Sequence, residues 1–301
     1  MRQLVIFSKE HRDELLDEIR HLGVTVLKSN DTSAWIKEDN VELAWAGSVW
    51  RDVKTIEFES ITDAQKKLKA ISRQWNYYGD LLFRRGALIA EGLTPKKQAA
   101  IAFPSLIENR GLPAFTMADQ GLIYYSQKVC RPTVDGKISF LENKTLPPSR
   151  AYLKLWEALT ILGDWPKKGE SVVDLGSCPG SWSWAMAELG AEVTSIDRSP
   201  LDEKISKYKN IHFQSGDAFG FKPRKMDWVF SDVICFPEKL HEFMKNWVDS
   251  GQCKKFVCTL KFTGKPDPAV IDLFRKLPNS RVIHLFNNKN ELTWMKHPSI
   301  A

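Results

Sequence analysis

No two of the five cysteines in this 301-residue chain stand as Cys-x-x-Cys, and the six histidines are scattered, so no zinc-ligand spacing is present. An odd cysteine count without a pairing framework fits a reducing compartment; a cytoplasmic protein without a metal is expected. No apolar run is long enough to span a bilayer, and Met1-Arg2-Gln3-Leu4 leads directly into a strand pattern. Neither a membrane segment nor a signal or transit peptide is therefore expected. The Gly-x-Gly-x-x-Gly pyrophosphate fingerprint and the Gly-Lys-Ser/Thr P-loop are both missing, which argues against NAD and ATP. Internal repeats and low-complexity segments are absent too. What remains is an ordinary globular composition, 43% hydrophobic and 27% charged, over a length that allows two domains with real cores.

The stretch Val172-Val173-Asp174-Leu175-Gly176-Ser177-Cys178-Pro179-Gly180-Ser181-Trp182 reads as a buried strand, a glycine-bearing turn and a helix start. Such a turn lets backbone approach a ligand closely. Glu192–Ile196 forms the next strand, and Asp197 at its end suits a ribose diol. A nucleoside ligand without phosphates, such as S-adenosylmethionine, fits this pattern. In an open α/β sheet the ligand lies beyond the carboxyl ends of the strands. Asp174, Gly176, Ser177, Cys178, Pro179, Gly180, Ser181, Trp182, Asp197, Asp217, Ala218 and Asp232 are accordingly the candidate cofactor contacts. Asp217 is placed to accept from an adenine amine, although it could equally be a turn residue after Gly216. Asp232 could equally cap the segment that follows it.

Further strands are expected at Ser171–Leu175, Ile211–Gln214, Asp227–Ser231, Lys255–Lys261, Arg281–Phe286 and Glu291–Lys296. Helices are expected at Arg150–Leu162, capped by Ser149, and at Trp182–Leu189, Glu238–Val248 and Ala269–Lys276. Alternating strands and helices imply a parallel α/β sheet. The last two strands, joined only by Asn287–Asn290, must be antiparallel. This is the sheet of class I, Rossmann-like methyltransferases. Ahead of it, strands at Gln3–Phe7, Val24–Lys28, Ala34–Lys37, Ala99–Phe103 and Leu122–Ser126 are expected. They are joined by a helix over Arg12–Leu22, a basic helix from Thr62 or Asp63 to Trp75, and a loop-rich Pro104–Asp119. This describes a smaller α+β region, with a linker over Gly136–Pro148. Three segments result: 1–60, 61–145 and 146–301.

Formal charge is +6, evenly divided between the halves, but between Gln65 and Gln98 eight basic side chains face two acidic ones. Lys66, Lys67, Lys69, Arg73, Arg84, Arg85, Lys96 and Lys97, interleaved with Trp75, Tyr77, Tyr78 and Phe83, suit phosphate neutralisation and base stacking. RNA is the expected partner, against the alternative of a solvated helix face.

Lys154, Asp232, Lys261 and Glu291, together with the Asp-Leu-Gly-x-x-Pro-Gly turn and the phrase Pro148-Ser149-Arg150-x-x-x-Lys154-Leu155-x-Glu157-Ala158, resemble the FtsJ-like 2′-O-ribose RNA methyltransferases. Within that family the phrase is most similar to the large-subunit rRNA members. The resemblance covers residues 147–297. It implies S-adenosylmethionine as cofactor, a cytidine of 23S rRNA as substrate and a THUMP-like RNA-binding region over 61–145. It also implies Lys261 as the group facing the 2′-hydroxyl, with Lys154 and Asp232 positioning and Glu291 supporting. A lysine base needs a depressed pKa, and repulsion between Lys154 and Lys261 could supply it. Gly180-Ser181-Trp182 stands where the family often has Gly-Gly-Trp. The alternatives are the same chemistry on a tRNA or a cap, a base methyltransferase, and a catalytically silent ribosome-assembly factor.

Overall fold

The computed structural model describes residues 3–93, 100–107, 111–131 and 133–300. Its contacts divide the chain into two compact units, residues 1–101 with 107–139 and residues 102–106 with 140–301.

In the first unit β1 (Gln3–Ile6), α1 (Arg12–His21), β2 (Val26–Ser29), β3 (Ser33–Ile36) and β4 (Ser48–Arg51) are followed by β5 (Lys54–Glu57), α2 (Ile61–Ile71), β6 (Asn76–Tyr77) and α3 (Phe83–Ala90). β7 (Ala114–Asp119), β8 (Leu122–Ser126) and β9 (Lys128–Val129) complete it. The strands form two sheets, ordered β2-β3-β1-β4-β9 and β5-β8-β7-β6. Expected segments 1–60 and 61–145 are therefore interwoven: β4 pairs with β9 and β5 with β8. Leu68, Trp75, Ile89, Phe115 and Ile123 form the core beneath the second sheet.

The basic helix differs at both ends from expectation. Ser60, rather than Thr62 or Asp63, caps it by accepting from Asp63 N–H at 3.1 Å. It stops at Ile71 because Ser72 is extended, and Trp75 lies beyond it, with Nε1 donating to the Leu68 and Ser72 carbonyls. The expected strand at 99–103 is reduced to one bridge, Ile101 N–H to the Ser139 carbonyl; Ala99 lies outside the described residues. β7 occupies the end of the expected loop, where its antiparallel pairing with β8 satisfies the backbone.

In the second unit α4 (Tyr152–Leu162), β10 (Ser171–Leu175), α5 (Ser181–Glu188), β11 (Glu192–Asp197), β12 (Ile211–Ser215) and β13 (Trp228–Ser231) precede α6 (Pro237–Ser250). β14 (Phe256–Lys261), α7 (Pro268–Arg275), β15 (Ser280–Ile283) and β16 (Glu291–Lys296) follow. One seven-stranded sheet results, ordered β12-β11-β10-β13-β14-β16-β15. It is parallel except for β16, which is antiparallel to both neighbours, as expected. This is a class I, Rossmann-like methyltransferase sheet. Strand order reverses between β10 and β13, the switch point at which such sheets open a ligand crevice. β15 ends three residues earlier than expected, leaving residues 284–290 as the hairpin connection. α4 begins at Tyr152; the Ser149 hydroxyl accepts from Ala151 N–H one turn before it.

Candidate active site

α4 is buried on every face from Tyr152 to Thr160, so Lys154 carries its charge into the interior. Burying an ammonium is tolerable only with close counter-charges, and the carboxyl ends of the strands provide them. Lys154 Nζ donates to both Asp232 oxygens at 3.0 and 2.9 Å and to Glu291 Oε1 at 3.0 Å. Asp232 follows β13, and Glu291 opens β16. Lys261 ends β14 directly opposite Glu291 in the antiparallel register. Its Nζ lies 3.1 Å from Asp232 Oδ1 and donates to the Asp232 carbonyl at 2.6 Å. Four side chains separated by up to 137 positions thus converge at one point.

The electrostatics set the charge state of Lys154. Burial pulls the Lys154 pKa down, but the adjacent Asp232 and Glu291 charges, and hydrogen bonds to both, outweigh it and hold the group above the ordinary lysine value. Lys154 is therefore a fixed cation, the second positive charge expected beside Lys261. The two lysines are unequal. Lys154 is enclosed by two carboxylates, whereas Lys261 is more exposed and shares only Asp232.

Beside this group, the turn after β10 is held by Gly176 and Ser177 N–H groups donating to the Ile196 carbonyl at 2.9 and 3.2 Å. Cys178 N–H donates to Asp197 Oδ2 at 2.9 Å, and Ser199 N–H to its Oδ1. Gly176 and Gly180 have φ of +80° and +109°, and a Cβ would lie 2.8 Å from Val233 in the first and 2.9 Å from Ile205 in the second. Only glycine fits either position. Asp174 is wholly buried. Its Oδ2 accepts from Ser183 Oγ at 2.6 Å, and that hydroxyl also meets Ser195 Oγ. Burial raises the Asp174 pKa to about 7, against the opposing Ser183 bond. Asp174 Oδ1 and Ser177 Oγ are buried without a partner among the described residues. An amino-acid ammonium and a hydroxyl or carboxylate would satisfy them, so the turn fits S-adenosylmethionine.

Other expected contacts are already engaged. Asp217 accepts from Arg198 at 2.7 Å and from Phe219 N–H, capping a short 3-10 turn that begins at buried Ala218. Ser181 Oγ bonds Ser149, and Trp182 Nε1 donates to the Ala151 carbonyl at 2.9 Å. These two side chains tie α5 to the start of α4, which leaves their backbone for a ligand. Cys178 and Pro179 are exposed.

A functional residue missed from the sequence is Glu157, one turn after Lys154. Its buried carboxylate accepts from Phe286 N–H at 2.7 Å, Asn287 N–H at 2.9 Å and Asn287 Nδ2 at 2.7 Å. It anchors the connection that delivers Glu291. The helical spacing of two ionisable groups on an otherwise apolar helix was the available signal.

Of the basic residues in the first unit, Lys66, Lys69, Arg73 and Arg84 are exposed. Lys67 is tied to Asp63 at 2.8 Å and to the Glu57 carbonyl, and Arg85 lies over the Phe58 ring. Lys96 and Lys97 lie outside the described residues. Among the described residues no cluster could hold a metal, and no helix is long and apolar enough to cross a membrane.

Residues 147–292 match the FtsJ-like methyltransferase family. Several curated proteins named ribosomal RNA large subunit methyltransferase M are similar to the chain. That of Azoarcus sp. (strain BH72) is 32% identical over 142 residues, 45% of this chain and 39% of that protein. That of Halorhodospira halophila is 38% identical over 118 residues, 38% of this chain and 35% of that protein. That of Xanthomonas euvesicatoria is 28% identical over 249 residues, 77% of this chain and 68% of that protein. The chain spans less than half the length of the first two. The part of the chain that carries the converging side chains is thus similar to the FtsJ-like methyltransferases, and S-adenosylmethionine is its cofactor.

Proposed function

We propose that this FtsJ-like domain transfers a methyl group from S-adenosylmethionine to a ribose 2′-hydroxyl of RNA, and that the substrate is a cytidine of 23S rRNA. The supporting observation is the convergence of Lys154, Asp232, Lys261 and Glu291 beside the glycine turn. The match to large-subunit rRNA methyltransferases supports the choice of RNA.

When bound, the cofactor supplies a sulfonium-activated methyl group. The residues must then align a poor nucleophile with it and accept one proton. Asp174 and Ser177 would hold the amino-acid end of the cofactor, and Asp197 the ribose. Lys154, fixed as a cation by two carboxylates, orients Asp232; Asp232 in turn holds Lys261 by side chain and carbonyl. Lys261, the lysine not enclosed by two carboxylates, faces the hydroxyl and as the neutral amine would take its proton, while the oxygen gains the methyl group and the cofactor's sulfur keeps the electron pair of the broken sulfur–carbon bond. The exposed Lys66, Lys69, Arg73 and Arg84 contribute phosphate contacts, with Lys67, Arg85, Lys96 and Lys97 in the same basic segment.

The test is transfer of a radiolabelled methyl group to unmodified 23S rRNA, followed by mapping. Label on a cytidine 2′-oxygen is the expected result. Label on a base, or on tRNA alone, would overturn it.

A further inference from the structure

Burial alternates from Val233 to Phe236 in the segment after β13. Asp232 and Val233 are half-buried, Ile234 is 86% exposed, Cys235 is half-buried and Phe236 is 66% exposed. Ile234 and Phe236, which flank a bend at Cys235, are two large apolar side chains left in water. The segment is nevertheless firmly held. Lys261 Nζ grips the Asp232 carbonyl, and Val233 packs against Gly176. The Phe236 carbonyl accepts from Leu240 N–H at 3.2 Å, where Pro237 opens α6. Four residues of extended chain reach at most about 14 Å. Ile234 and Phe236 are therefore close to the four converging groups, on a strut whose first residue is one of them.

We infer that Phe236, flanked by Ile234, is the platform on which the base of the target nucleotide stacks, so that its 2′-hydroxyl is presented to Lys261. This rests on the ribose-methylation reading above. A methyl acceptor must be held in line with the cofactor, yet the tetrad itself has nothing to grip a nucleobase. An aromatic face does so without demanding a particular base, and Phe236 is a positioning residue in this sense.

Steady-state methylation of an unmodified 23S rRNA transcript tests the inference, with cofactor affinity measured in parallel by calorimetry. Phe236→Ala should lower kcat/KM for RNA about tenfold or more, with cofactor affinity unchanged. Phe236→Leu, apolar but without a π face, should remain comparably low, whereas Phe236→Trp and Phe236→Tyr should recover to within about threefold of wild type. Wild-type kcat/KM in Phe236→Ala or in Phe236→Leu overturns the platform while leaving ribose methylation standing. Failure of the wild-type chain to methylate RNA sinks the ribose reading, and the platform with it.

Discussion

The two units handle positive charge in opposite ways. In residues 140–301 the decisive lysine, Lys154, is buried and bound to two carboxylates. In the first unit Lys66, Lys69, Arg73 and Arg84 stand in solvent. A buried, paired cation is a fixed part of the geometry, and its removal leaves uncompensated charge in a poorly solvating interior. An exposed cation costs little to keep and is free to displace counterions from a phosphate backbone. Single substitutions should therefore be severe in the second unit and mild in the first.

The largest expected effect is Lys261→Ala, which should reduce kcat by roughly two to four orders of magnitude while cofactor affinity stays within about twofold. Retained turnover at neutral pH would remove Lys261 as proton acceptor. Next is Lys154→Met, which leaves Asp232 and Glu291 facing each other and should lower unfolding free energy by about 3 kcal/mol. Chemical denaturation measures it, and adding Glu291→Gln should recover part of the loss. If Lys154→Met were no more destabilising than Lys69→Met, the contrast between the units would be false.

A subtler effect is pH-dependent. The folded-state pKa of Asp174 lies near 7, above its ordinary 3.8, so the folded chain keeps a proton that the unfolded chain releases. Stability from this group is complete below about pH 4 and lost as pH rises to about 7. Asp174→Asn should flatten that slope in thermal melts. Because the cofactor's ammonium needs the ionised carboxylate, wild-type cofactor affinity should fall about tenfold per pH unit below 7, and the variant should bind weakly at every pH. The smallest single-site effects belong to the first unit. Lys66→Gln, Lys69→Gln, Arg73→Gln or Arg84→Gln alone should weaken RNA binding by less than about threefold. All four together should visibly flatten the dependence of RNA affinity on salt in filter-binding titrations.

The same contrast governed what could be read from the sequence. The second unit announced itself because long apolar strands alternate with helices, and because Gly176 and Gly180 mark a turn that only glycine can make. The opposition of Lys261 and Glu291 needs the folded sheet, because the short connection pairs β16 with β15 and does not set its register against β14. The first unit hid its four-residue strands, too short to display a period. β7 falls within the expected loop, although Asp119-Gln120-Gly121 before β8 is a hairpin turn. Trp75 extended the apparent stripe of α2 beyond its end, since an apolar residue at helical spacing can return from an extended segment. Glu157 stands in the family-like phrase, but its role is not legible there, because a lone carboxylate on an apolar helix names no partner until residues 286–287 are folded against it. Asp217 and Trp182 follow the carboxyl ends of their strands, but their side chains engage Arg198 and the Ala151 carbonyl.

Lys154 and Glu157 both reach the C-terminal hairpin, one to Glu291 and the other to the connection before β16. During synthesis, α4 leaves the ribosome well over a hundred residues ahead of either partner. Until they arrive Glu157 has no lasting partner, and Lys154 has only Asp232. Catalytic competence is therefore among the last properties the growing polypeptide acquires, gained in the same step that closes the sheet.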